Sequence, residues 1–435
     1  MYCTLALIFL RFSFLSELMT YLTGRETYVL YIFGPPALIS FLFAGGFRRS
    51  LGETGPKLWL AFVAWMLIGV PFSAWRGGSL TLAIAYIKTE FILLLFTVGL
   101  TLTWSECRKA IYAIAGAGAF SVVVGLYFMR SGAERFSMAW SGQIGNSNDF
   151  AVHLLLVVPF ILFVVLRPGT PKAVRVVLGV AVIVGLFEIL RTASRGALIA
   201  VVVTVVFLLL RGSAKQRIAI GTTAVVALVA LISLLPADTW NRMLSFSNDA
   251  GASKEALESS AIREHLLEES VICTLEHPLL GIGVGEFGSY EAARSGGNGH
   301  VGWQPSHNSY TQISSECGIP ALLLYLAVVV WAFRLLSRIE KQASGPYRQE
   351  MATAAYAIRI GLIGFATGTF FNNFGYSFEF LLVSGLIEVM WRAVRHSESS
   401  ATGNAPAVAP IPAVPWGPKN AGRDLPRPRA KRIGW

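Results

Sequence analysis

The chain has 435 residues, of which 54% are hydrophobic and only 14% charged. Soluble proteins carry about 25% charged residues, and the mean hydropathy here is +0.58, so an ordinary soluble protein is excluded. The net charge of +11 does not point to nucleic acid, because most of it follows from membrane topology, as set out below.

Apolar runs of about 17 to 25 residues, the length of a helix that crosses a bilayer, recur along the chain. They fall at roughly 3–23, 27–45, 57–74, 80–102, 109–129, 149–166, 173–190, 196–210, 218–236, 314–333, 352–371 and 376–392. The expectation is an all-α polytopic membrane protein of about twelve helices. Residues 1–395 form one membrane domain, which includes a large outer loop at 237–305, and residues 396–435 form a disordered Pro/Arg-rich tail. The first run is interrupted by Arg11 and Glu17; it reads as a span and not as a cleaved leader, since no small-residue cleavage site follows it. With the N-terminus inside, the inner loops and the tail hold more than twice as many Lys and Arg as the outer segments. That bias sets both termini in the cytoplasm. The tail, with Arg423, Arg427, Arg429, Lys431 and Arg432 among prolines, suits contact with anionic lipid.

Four segments carry polar chemistry at the outer ends of spans. Gly145-Asn146-Ser147-Asn148-Asp149 opens a span. Asn148 or Ser147 suits a helix cap, and Asp149 suits the first turn; the alternative for Asn148 is binding of sugar hydroxyls. Arg191-Thr192-Ala193-Ser194-Arg195-Gly196 joins two spans through a very short turn. Ser194 is a natural cap for the second helix. Arg191 and Arg195 either snorkel to the interface or hold an anion such as phosphate, for which the planar guanidinium is well shaped.

The outer loop follows. Ser253 to Glu276 reads as an amphipathic helix with Leu257, Ile262, Leu266, Val271 and Leu275 on its apolar side. Pro278 should end it near His277. Arg263 lies in this helix with no Glu at the spacing of a good helical ion pair, so it is either a solvated charge or a second anion contact. Gly281-Ile282-Gly283-Val284-Gly285 is not a nucleotide-binding loop, because no strand precedes it. It is expected to be a turn where backbone packs closely on another element.

Ser306-His307-Asn308-Ser309-Tyr310, with Glu316-Cys317-Gly318 behind it, stands at the seam between this loop and the next apolar run. An imidazole with an ordinary pKa of about 6.5 accepts a proton from a hydroxyl at neutral pH. Asn308, Gln312 and Glu316 recur at helical spacing and share one face, so Glu316 is not expected to hold His307 directly. His265, His277 and His300 are loop alternatives, and His153 lies within a span. The cysteines at 3, 107, 273 and 317 have no metal-ligand spacing; Cys273 and Cys317 both fall on the outer side but are expected to stay unpaired.

In this order and membrane placement the segments resemble the O-antigen ligase and O-antigen polymerase superfamily of bacterial membrane glycosyltransferases. The pieces that carry the resemblance are Gly145–Asp149, Ser194-Arg195-Gly196-Ala197-Leu198, Arg263, His277-Pro278-Leu279-Leu280-Gly281-Ile282-Gly283, His307-Asn308-Ser309-Tyr310 and Glu316-Cys317-Gly318. The resemblance implies a GT-C-like helical fold in the bacterial inner membrane, with the active site on the periplasmic face. It also implies an undecaprenyl-diphosphate-linked glycan as donor, and lipid A-core or a growing glycan as acceptor. By that resemblance His307 is the catalytic base, and Arg195 and Arg263 hold the diphosphate, with Arg191, Asn308 and Asn148 as further substrate contacts. No metal or other cofactor is implied. A repeat-unit polymerase is the nearest alternative. A small-anion transporter is the alternative of another class, disfavoured because no inverted repeat or matching pair of broken helices is visible.

Overall fold

The computed structural model describes residues 1–131, 136–138, 146–215, 217–218, 221–222, 254–295 and 303–401. The expected tail beyond 401, span 218–236 and the early part of the outer loop lie outside the described residues. The described chain is helical throughout except for one three-residue hairpin, in which Met129–Ser131 pairs antiparallel with Phe136–Met138.

The helices are α1 Tyr2–Ser13, α2 Leu15–Thr23, α3 Val29–Phe43, α4 Gly46–Ser50, α5 Thr54–Gly69, α6 Arg76–Tyr86, α7 Ile92–Leu100, α8 Trp104–Phe128, α9 Ser147–Leu166, α10 Lys172–Arg191, α11 Arg195–Arg211, α12 Lys254–Glu276, α13 Phe287–Arg294, α14 Ser309–Gln342, α15 Arg348–Gly368 and α16 Phe378–Ala401. A π-turn at Ile87–Phe91 joins α6 to α7, and a 3-10 turn at Thr369–Phe371 extends α15.

Seven described helices are long and apolar enough to cross a membrane, or eight if the bent pair α1–α2 counts as one span. The expectation of about twelve is thus met only in part among the described residues, and the departures there have definite reasons. The first run breaks at Phe14, where a left-handed backbone bends α1 against α2 by 66°. Helix α3 has only 15 residues, about 22 Å, against the roughly 30 Å of a hydrocarbon core. Helix α11, with 17 residues, also falls short.

Helix α16 departs differently. It carries Glu379, Glu388 and Arg392, yet every residue from Phe378 to Met390 is buried. A helix apolar on all sides belongs inside a bundle, and here protein groups meet most of its charged atoms, although one Glu379 oxygen and the Arg392 Nε have no hydrogen-bond partner among the described residues. Glu388 accepts from the Gly55 N–H at 3.0 Å and the Trp331 indole at 2.9 Å, while Arg392 donates to the Val98 carbonyl at 2.6 Å.

The helix ends sort into two sets. At one end Glu350, at the start of α15, pairs with Arg108 of α8 and with Arg167 just beyond α9. At the same end Glu53, before α5, pairs with Arg392 and Arg395 of α16. At the other end lie the α10–α11 turn, the loop from 277 to 308, and the segment between α15 and α16.

The lobe built from α12 and α13 is docked by backbone bonds. Helix α14 is broken at Gly318, which has φ +83, and Pro320 has no N–H to give. The carbonyls of Ser315 and Glu316 therefore lose their helical partners. The Ile282 and Gly283 N–H groups take those places at 2.9 Å each, and the Ile319 N–H turns to the Pro278 carbonyl at 2.8 Å. A Cβ on Gly281 would lie 2.3 Å from the Glu316 carbonyl carbon, and one on Gly318 would lie 2.0 Å from the Leu279 oxygen. The glycine run is thus a close backbone contact, as its composition suggested.

Helix α12 spans Lys254–Glu276 and stops before Pro278, as expected. Its buried face differs from the expected one. Leu266, Ser270 and Cys273 are buried together with half-buried Ile262, whereas Leu275 is 71% exposed and Val271 is also exposed; the side chain of Leu257 lies outside the described residues. Spacing of three and four through a serine and a cysteine wins over the mixed apolar spacing. Cys273 and Cys317 are both free thiols. Arg294 grips Glu276 with bonds of 2.6 and 3.0 Å and holds that carboxyl below its ordinary range.

Two outcomes are expected. Gly318→Ala should destabilise the folded protein by at least the roughly 1–3 kcal/mol of a left-handed non-glycine residue, read as a lower melting temperature in detergent; an unchanged melting temperature would contradict the docking described. Burial pushes the Cys273 thiol up to about 11. In a Cys3→Ser background, a membrane-impermeant maleimide at neutral pH should therefore label Cys273 only after denaturation, and rapid labelling of the native protein would contradict its packing.

Candidate active site

Four non-glycine residues in the described structure adopt positive φ: Phe14, Ala193 (φ 50), Trp303 (φ 61) and His307 (φ 54). Three of them lie at the end of the bundle that carries the arginine turn and the docked lobe. Left-handed backbone in residues with a Cβ costs about 1–3 kcal/mol and persists where surroundings enforce it, which happens most at functional sites.

His307 is half-buried and immediately precedes α14. Asn308 caps that helix, its side chain accepting from the Tyr310 N–H at 2.9 Å and the Thr311 N–H at 3.2 Å. Such a cap fixes the entry angle of the chain, and with it the direction in which His307 leaves. On the other side the Ser306 hydroxyl lies 3.2 Å from the Asn308 carbonyl oxygen and 3.3 Å from the Asn373 side-chain oxygen, its one proton shared between them. Asn308 is therefore seated by the helix it caps.

The arginine turn is built in the same way. The Ser194 hydroxyl caps α11 by accepting from the Ala197 N–H at 3.3 Å, as the sequence predicted. Arg191 ends α10, and Arg195 opens α11. Gly196 lies against Phe371, where a Cβ would come within 2.6 Å of the phenylalanine Cβ.

Residues 371–373 tie the two halves together. Phe371 touches the arginine turn. The Asn372 carbonyl accepts from the Ser309 hydroxyl at 2.6 Å, and the Phe374 N–H donates to that same hydroxyl at 2.7 Å. Asn373 reaches Ser306. The turn that carries Arg195 and the loop that carries His307 are thus both fastened to one short segment between α15 and α16. That segment was not singled out in the sequence. Its signal was a polar Asn372-Asn373 pair followed by Gly375, between two apolar runs at the outer end.

Arg263 lies on the face of α12 that also holds Ser270 and Thr274. Thr274 bonds Ser314 of α14 at 2.8 Å, so this face meets α14. Asn148 is buried in the first turn of α9. The cap of α9 is Asn146, which accepts from the Asn148 and Asp149 N–H groups at 2.9 and 3.0 Å. The expected cap at Asn148 or Ser147 is corrected by one or two residues. Asn146 wins because its backbone is extended, whereas 147 and 148 are already helical.

The stripe Asn308, Gln312 and Glu316 serves positioning. Gln312 accepts from the Gly375 N–H at 3.2 Å, and Glu316 accepts from the Gly285 N–H at 2.7 Å. The other described histidines are placed apart from this arrangement. His153 is fully buried between Ser121 at 3.4 Å and Glu379 at 3.7 Å. His265 faces Glu291 at 3.5 Å, and His277 bonds Tyr290 at 3.2 Å; His300 lies outside the described residues. Among the described residues no group of three or more His, Cys, Asp or Glu side chains converges as a metal site.

The role of Glu316 has a direct check. Glu316→Ala should leave the Gly285 N–H unsatisfied, a loss of about 1–3 kcal/mol, and should make the 277–295 lobe more sensitive to limited proteolysis. Glu316→Gln keeps an acceptor and should resist. Wild-type proteolysis in the alanine variant would contradict the clamp.

Residues 180–326 match the family model described as O-antigen ligase, a segment that contains Arg191, Arg195, Arg263, His307, Asn308 and Glu316. No curated protein matches the chain. Over residues 180–326, about a third of the chain, the protein is thus similar to the O-antigen ligase family, which supports a membrane enzyme of the glycosyltransferase ligase or polymerase type.

Proposed function

We propose that the protein transfers a glycan from undecaprenyl diphosphate to an acceptor hydroxyl at the periplasmic face of the bacterial inner membrane. The observation that carries this reading is the left-handed His307, seated at the capped start of α14 and fastened through residues 371–373 to the Arg195 turn. It joins a base to fixed cations, which is the minimum that this chemistry requires.

In the proposed step the acceptor hydroxyl attacks the anomeric carbon of the donor sugar. His307 takes the hydroxyl proton. The bond between the anomeric carbon and the diphosphate oxygen breaks, and its electron pair leaves with the carrier diphosphate. Arg195 and Arg263 meet the charge that gathers there, with Arg191 beside them. Guanidinium groups suit phosphate oxygens, and donors fixed in advance at developing charge contribute about 10²–10³ in rate. General base catalysis contributes about 10²–10⁴. Direct displacement inverts the anomeric carbon. Asn308 serves by holding the start of α14, and Asn148 faces sugar hydroxyls. Both termini lie in the cytoplasm, a reading supported by the Lys and Arg bias and by the arginine–glutamate pairs gathered at the end away from His307.

Ligase and polymerase share this chemistry and differ only in the acceptor. The ligase is the form proposed, with lipid A-core as acceptor, because the matching family model is described as O-antigen ligase.

The test is transfer by purified protein in liposomes with a carrier-diphosphate-linked oligosaccharide. His307→Ala should stay folded and give no product; wild-type product yield from it would overturn the assignment of the base. Arg195→Lys and Arg263→Lys should raise the donor KM about tenfold or more, because a bidentate contact is lost. Full activity of both lysine variants would reduce the arginines to simple charge. Product on lipid A-core alone marks a ligase, and product on a second carrier-linked repeat marks a polymerase. Anion flux with no consumption of donor would replace the transferase by a transporter.

A further inference from the structure

Glu188 is a carboxylate in the apolar helix α10, one turn before Arg191. It is 3% exposed, and neither of its oxygens has a hydrogen-bond partner among the described residues. The buried residues of α10 are Gly185, Glu188 and Ile189, which form the face turned to α8 and α9. The carboxylate fits there because Gly125 of α8 has no side chain: a Cβ at Gly125 would lie 2.6 Å from a Glu188 oxygen and 2.7 Å from the tip of the Phe150 ring. Phe150 stands one turn into α9. In the first turn of that helix are Asn148, which is buried, and Ser147, whose buried hydroxyl also has no partner among the described residues. Phe150 thus links the start of α9, with its Ser147 hydroxyl, to Glu188, whose carboxyl lies within the charge field of Arg191 but accepts no hydrogen bond among the described residues.

Burying polar groups without partners costs about 1–3 kcal/mol each in protein measurements. The α8–α9–α10 junction bears that cost, although an aliphatic residue at 188 would remove it. Such a cost is understandable where the groups receive a ligand. Phosphate is excluded as that ligand, since a carboxylate repels it. A polyhydroxylated ring supplies the donors that two carboxylate oxygens and a hydroxyl need.

We infer that Glu188, with Ser147 and Asn148, forms a subsite for the hydroxyls of the donor sugar bonded directly to the diphosphate, an inference that rests on the transferase reading above. The donor sugar, and not the acceptor, is the occupant because Glu188 lies one helical turn, about 5 Å, from Arg191. A single sugar ring bridges that distance from the diphosphate.

Two ligands separate the outcomes: undecaprenyl diphosphate bearing the glycan and undecaprenyl diphosphate alone, each titrated against detergent-purified protein. In wild type both should bind. In Glu188→Ala the glycan-bearing donor should bind about tenfold or more weakly, the scale of a lost hydrogen bond to a charged group, while the sugar-free carrier should bind unchanged. Glu188→Gln keeps the shape and part of the hydrogen bonding, so its loss should be smaller. Its melting temperature should equal or exceed that of wild type, because a buried carboxyl without a hydrogen bond is removed; a carboxyl whose role is the structural charge contact with Arg191 would lower it. Equal weakening of both ligands, no weakening of either, or a KM change confined to the acceptor overturns the subsite and leaves the transferase reading intact. Wild-type protein that binds neither ligand overturns the transferase reading itself.

Discussion

The structure depends on one exchange of backbone hydrogen bonds. A helix in a membrane protein must satisfy its own N–H and C=O groups or find protein partners for them. Helix α14 fails to do so at Gly318 and Pro320, and the carbonyls of Ser315 and Glu316 are taken instead by Ile282 and Gly283. The break would be a defect in isolation. With the loop in place it is a socket, and it locks the polar lobe of α12 and α13 to the bundle. The start of α14 is held by the same arrangement, because Glu316 reaches out of the helix to the Gly285 N–H. Everything above that point inherits a fixed position.

What stands above it is the candidate site. Its parts come from distant stretches of chain, and each is held by a local device. Asn308 and Ser194 cap the two helices that carry His307 and Arg195 at their starts. Residues 371–373 fasten both. The strained backbones at Ala193, Trp303 and His307 mark the places where tertiary contacts override local preference. Preorganisation of this kind is what charge stabilisation requires, because groups that must move to meet developing charge give back much of their advantage.

Much of this was legible in the sequence, and the failures have physical causes. Helix α12 was legible because Pro278 stops a helix whatever surrounds it. The glycine run was legible as close packing, since no strand preceded it. The count of spans is met only in part among the described residues, because apolar content alone does not separate a helix facing lipid from one facing protein. Helix α16 reads as an apolar run, but its Glu388 and Arg392 are matched by Gly55, Trp331 and Val98, partners remote in sequence. The buried side of α12 was misassigned because Ser270 and Cys273 count little on an apolar scale yet fill the contact with the lobe's small core. His307 and the arginines were singled out by motif, and the structure sets His307 and Arg195 at helix starts. Asn372, Asn373 and Glu188 were not, since their meaning lies in contacts across helices. A carboxylate in an apolar run is nevertheless a signal in its own right.

The central claim is that the Arg195 turn and the His307 loop serve one substrate. The most direct measurement is a structure of the protein in a lipid nanodisc with a carrier-diphosphate-linked glycan bound to the His307→Ala variant. The diphosphate is expected against Arg195 and Arg263, with the anomeric carbon turned toward position 307 at the start of α14. A diphosphate bound at the opposite end of the bundle, or an anomeric carbon turned away from position 307, would contradict it.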